Sequence, residues 1–117
     1  MSSELPIRRL RDVLQNAAAI ADYTRGMVFE EFAGNRMVID AVERCLQRIC
    51  EAVAKLGEDA AVLLPGQPWY KIRAFGNVLR HEYDEIDPAH LWHIVQQSLP
   101  PLVEACQDSI ARLDTLQ

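Results

Sequence analysis

Between Asn35 and Gly57 the apolar residues Ile39, Val42, Leu46, Ile49, Val53 and Leu56 follow one another at steps of 3, 4, 3, 4 and 3. That spacing keeps a stripe on one side of a helix and cannot alternate across a strand. Asn35 stands where an N-cap belongs, and Gly57 where the helix should stop. Val38, Ala41, Cys45 and Ala52 widen the stripe. A surface this broad suits a bundle neighbour and also a second copy of the chain. The segment must therefore be covered by further helices, and the rest of the chain is read for them.

Helical periodicity appears in nearly every other segment. A first helix is expected from about Pro6, with Leu10, Val13, Leu14, Ala17, Ile20, Ala21 and Thr24 on one side and Gly26 as its stop. Val28 to Ala33 and Glu58 to Leu64 predict short helices. The turn cluster Pro65-Gly66-Gln67-Pro68 leads into a helix that should fade near Tyr83 to Asp84. Asp87-Pro88 reads as an N-cap followed by a first-turn proline. The last helix carries Leu91, Trp92, Ile94, Val95, Leu99, Leu102, Val103, Cys106, Ile110 and Leu113, and Pro100-Pro101 must kink or divide it. The expected fold class is all-α: an antiparallel up-and-down four-helix bundle with short extra helices and a proline-kinked last helix, in one domain over residues 1–117.

Composition narrows the function classes. No apolar run approaches the ~18 residues that span a bilayer. The start, MSSELPIRRLRD, has no apolar core of a signal peptide, so a cytoplasmic protein without a membrane is expected. Cys45, Cys50 and Cys106 lie in helical patterns without a CxxC or Cys/His spacing, which reads as reduced, buried thiols. His90 and His93 are spaced i, i+3, but nothing completes a metal-ligand set, so no metal or cofactor is expected. The formal net charge of −5 argues against non-specific coating of nucleic acid. It leaves room for a small basic cleft holding one phosphodiester.

The segment PWYKIRAFGNVLRHEYD, Pro68 to Asp84, is the chemically dense one. As a helix it sets Arg73, Asn77 and His81 at i, i+4 and i+8, with Trp69, Ile72, Phe75 and Leu79 on another face. An imidazole can give or take a proton near neutral pH, and a guanidinium offers paired donors to phosphate. Asn77 can orient either the imidazole or a ribose hydroxyl. Together they could run a ribonuclease transesterification without metal, the histidine taking the 2′-hydroxyl proton and an arginine stabilising charge on phosphorus. The plain alternative is that His, Arg and Asn on a helix are solvated surface groups. Gly76 is harder to dismiss, because a mid-helix glycine costs ~1 kcal/mol relative to alanine. Close approach of another helix or a partner chain is expected there. Trp69 and Trp92 read as core or interface aromatics.

The run PW-x-x-I-x-x-x-x-N-x-L-x-H-x-Y, followed by acidic residues, Leu91-Trp92 and Leu99-Pro100, resembles the HepT-like proteins of the HEPN superfamily. The resemblance covers nearly the whole chain, including Tyr23-Thr24, Gly26, Phe32 and Glu51-Ala52. It implies a toxin of a toxin–antitoxin module: a metal-independent ribonuclease, working as a homodimer whose active face forms where two copies meet. It also implies an MntA-type nucleotidyltransferase partner that inactivates the toxin by attaching AMP to a tyrosine. Carried over, the histidine is His81, the tyrosine is Tyr83 and the polar residue after the motif arginine is Asn77. The arginine position itself, five before the histidine, is Gly76. Arg73 lies about 12 Å back along the axis. Arg80 adjoins His81 but sits ~100° around the helix, so within one chain it is expected to point elsewhere and to serve, if at all, across a two-fold.

Two functions follow. One is an RNA-cleaving toxin with His81 as base, Asn77 as orienting group and Arg73 or Arg80 as phosphate clamp. The other is a non-catalytic, nucleotide- or RNA-binding partner subunit of a nucleotidyltransferase, which the glycine at 76 favours. A Gly76→Arg variant that gained toxicity would separate them.

Overall fold

The computed structural model describes residues 4–81 and 86–115. It contains α1 (Glu4–Thr24), α2 (Phe29–Ala33), α3 (Arg36–Leu56), α4 (Asp59–Leu63), α5 (Trp69–His81), α6 (Pro88–His93) and α7 (Leu99–Thr115). A π-helical turn, Ile94–Ser98, joins α6 to α7. The chain is all-α, as its periodicity predicts.

Helix α3 lies at the centre, with α1 along one side and α5 along another, and α7 packs against α1. Every residue of the predicted α3 stripe is buried, and so are Cys45 and Ala52 beside it. The broad apolar surface is therefore consumed largely inside the chain, by α1 and α5. Leu10, Val13 and Ile20 from α1 meet Val42, Ile49 and Val53 from α3 in the same core, which Leu91, Leu102 and Cys106 extend. Ala21, expected in the α1 stripe, is exposed. It lines a groove of about 590 Å³ between α1 and the π-turn–α7 segment, whose wall includes Val95, Leu99, Val103 and Asp108. No residue of α5 lines that groove.

Local chemistry sets the element ends. Asn35 Oδ1 accepts from the Val38 N–H at 3.1 Å and caps α3. Asp87 Oδ1 accepts from the Ala89 N–H at 3.0 Å and starts α6, with Pro88 in the first turn. Glu31 Oε1 reaches back to the Val28 N–H at 3.0 Å and steadies the five-residue α2. Phe32 of α2 is fully buried, and its ring centroid lies 5.1 Å from that of Trp92, tying α2 to α6. Arg112 Nη2 donates to the Leu63 carbonyl at 3.2 Å, anchoring the end of α4 to α7.

The two prolines neither end nor break the last helix. The interruption falls just before them, where the Leu99 N–H donates to the Ile94 carbonyl, one residue further back than in an α-helix. Pro100 and Pro101 have no N–H for the carbonyls of Gln96 and Gln97, and a proline ring crowds the carbonyl four residues before it. The widened turn relieves that crowding, and both glutamines lie exposed, where water can satisfy their carbonyls.

Candidate functional site

Helix α5 presents its chemistry outward. Trp69, Gly76 and Leu79 are buried against the body of the protein. Tyr70, Arg73, Asn77, Arg80 and His81 are all exposed. One helix face thus gathers two guanidiniums, an amide and an imidazole. The sequence of α5, WYKIRAFGNVLRH, contains no carboxylate. The ion pairs formed among the described residues, Arg9–Asp12, Arg25–Asp22 and Arg36–Asp40, all lie on α1 and α3 or just past α1. Among the described residues, α5 therefore keeps a local cationic face. Arg80 and His81 also stand in the last described turn, where positive charge complements the helix dipole.

Arg80 does not point away from this face. Its Nη2 donates to Asn77 Oδ1, so the two share a hydrogen bond across one turn. A position ~100° from His81 is still only ~60° from Asn77, and a long guanidinium closes that gap. Asn77 thus sits between Arg80 and His81. Arg73 flanks Asn77 one turn earlier. All four predicted site residues of this helix share one exposed surface within a single chain. Tyr83, the expected modification site, lies outside the described residues.

Gly76 owes its identity to α3. A Cβ built there would stand 2.8 Å from Cys50 Cβ, closer than side chains pack. The expected close approach is made by a helix of the same chain. An arginine at 76 would therefore start against Cys50, not on the open face, and a Gly76→Arg variant would have to shift the α3–α5 packing before its guanidinium could reach the site. Arg80 follows Gly76 one turn later, ~40° further round towards the open face. Its charge is also felt at Cys50: burial pushes that thiol up to about 12, and the Arg80 guanidinium opposes the rise.

The other candidates take structural roles. Cys45, Cys50 and Cys106 are free and buried. His90 is exposed, and its ring meets the edge of Phe75 at a centroid distance of 5.8 Å, linking α6 to α5. Trp69 is buried, and Trp92 packs on Phe32 and Phe29. Among the described residues no three His, Cys, Asp or Glu side chains converge as a metal site, and no helix is long and apolar enough to cross a membrane. Tyr70 escaped the sequence reading: it is 71% exposed and on the site face, yet adjoins a buried tryptophan and carries no polar pattern of its own.

The model of a family described as "Ribonuclease HepT-like" matches residues 13–109. A Methanocaldococcus jannaschii protein named "Putative RNase" is 33% identical over 93 residues, covering 80% of this chain and 85% of its own. A Thermococcus cleftensis protein named "Probable ribonuclease HepT" is 31% identical over 93 residues, covering 80% of this chain and 84% of its own. No solved structure matches. With the family's signature spanning α1 to α7 and these relatives aligned over four-fifths of its length, the chain belongs to the HepT-like ribonuclease family.

Proposed function

We propose that this protein is a metal-independent endoribonuclease whose working surface is the exposed face of α5. The observation that carries the reading is the joining of Asn77 to Arg80 beside exposed His81, on a helix whose described residues include no carboxylate, in a chain of a ribonuclease family. His81 takes the proton from a ribose 2′-hydroxyl and returns one to the leaving 5′-oxygen. The 2′-oxygen attacks phosphorus, the P–O5′ bond breaks, and a 2′,3′-cyclic phosphate remains. Arg80, held by Asn77, and Arg73 offer donors to the phosphate oxygens as charge develops on them. The family resemblance supports the wider setting: a homodimeric toxin, inactivated when a partner nucleotidyltransferase attaches AMP to Tyr83. An added phosphate beside His81 and Arg80 would compete with RNA for the same cations.

The test is cleavage of a single-stranded RNA by the purified protein in excess EDTA, with analysis of the ends. Cyclic-phosphate termini, and blockage at a single 2′-deoxynucleotide, are expected. Cutting that passes a 2′-deoxynucleotide undisturbed, or that needs added metal, would refute the mechanism.

A second reading, the non-catalytic partner subunit, draws on the glycine at the family's arginine position. It predicts RNA or nucleotide binding without turnover in the same assay.

A further inference from the structure

Tyr70 stands out on the site face because nothing in the fold needs it there. Its ring is stacked on that of Trp69, with centroids 3.8 Å apart and planes 28° from parallel. Trp69 is buried and fixed, so the indole supports one face of the phenol ring while 71% of Tyr70 remains open. An aromatic plane backed in this way loses little freedom when a second plane lands on its outer face. Its place on the helix matters equally. Two turns bring Asn77 back to within about 20° of the direction of Tyr70, and Arg73 lies between them at i+3. Along α5 the exposed order is therefore aromatic ring, guanidinium, amide–guanidinium pair, imidazole.

We infer that Tyr70 is a base-stacking platform for single-stranded RNA, extending the site by one subsite along α5. Single-strand binders combine cations that follow the backbone with aromatic planes that take bases, and this face offers both in line. Tyr70 lies about 16 Å along the axis from His81, so the base it takes belongs to a nucleotide beyond the reacting linkage. Stacking on a ring face is tolerant of base identity, so the subsite adds affinity more than sequence preference. The inference rests on the ribonuclease reading of the same face.

Binding of a fluorescent eight-nucleotide RNA to the His81→Ala protein, which leaves the RNA uncut, tests it by anisotropy. Adding Tyr70→Ala should weaken binding by about tenfold, and adding Tyr70→Phe should leave it unchanged, because only the ring plane is needed. With a fully abasic strand of equal length the Tyr70→Ala effect should vanish. Equal affinity with and without Tyr70→Ala would overturn the subsite while leaving the ribonuclease reading intact. A change in sedimentation without a change in RNA affinity would overturn it too, by making Tyr70 a protein contact. Wild-type protein that neither cuts nor binds RNA would remove the ribonuclease reading itself, and the subsite with it. Thermal midpoints of the Tyr70 variants provide the folding control.

Discussion

On the proposed reading, the hydrogen bond from Arg80 to Asn77 shapes how this face would hold a phosphate. It supplies, from within one chain, a cation next to the histidine that the family's arginine position, Gly76, does not provide. Arg80→Ala should therefore lower RNA cleavage by about a hundredfold, the loss typical of one donor to a developing charge. Single-turnover rates measure this, and an unchanged rate would exclude Arg80. Gly76→Ala tests the opposite kind of residue. Helix propensity favours alanine by ~1 kcal/mol, but overpacking against Cys50 Cβ costs typically ~1–3 kcal/mol, so a net loss of about 1 kcal/mol in urea unfolding is expected. Cys50 and Cys106 are each pushed from 9.0 to about 12 by burial. Folding then binds protons that the unfolded thiolates would have released. Their contribution is intact below pH 9 and falls as pH rises from 9 towards 12. Urea midpoints should drop between pH 8 and pH 10 by less in a Cys50→Ala/Cys106→Ala variant than in the native chain. At this scale the i, i+4 line of Arg73, Asn77 and His81 is legible in the sequence. The reach of Arg80 is not, because a wheel of Cα directions ignores a side chain folding back one turn. Nor is the partner of Gly76, which sits on a helix far away in the chain.

Helix α3 shows what elements inherit from local pattern. Its 3–4 spacing foretells both the helix and the buried face, and Asn35 and Gly57 mark its ends. Removing the cap by Asn35→Ala should destabilise the fold by about 1 kcal/mol, seen as a lower urea midpoint with an unchanged slope. The last helical run was less transparent. Pro100-Pro101 announces a disturbance, but whether a helix bends, breaks or widens depends on the packing of Val95, Leu99 and Leu102 into the core. The π-turn lets Val95 and Leu99 both stay buried on either side of the disturbance. Periodicity places Trp69 with Ile72, Phe75 and Leu79 on the packed face, and the structure buries it while leaving Tyr70 exposed; what the pattern does not reveal is that the two rings stack.

The whole molecule is an α3-centred helical body that spends most of its apolar surface on its own core and, among its described residues, carries a cationic face on α5. The chain belongs to the HepT-like ribonuclease family, and the proposed chemistry is assigned to that face. The proposed pairing of two copies and the proposed attachment of AMP at Tyr83 would extend the account beyond a single chain. Sedimentation at micromolar concentration should give a dimer, and a purely monomeric species would leave the α5 face to act alone. The most direct test of the central claim is the initial rate of RNA cleavage in EDTA by the wild-type protein and by His81→Ala. A loss of about a hundredfold or more on removing the imidazole is predicted; equal cutting by the two proteins would contradict the assignment of the site to α5.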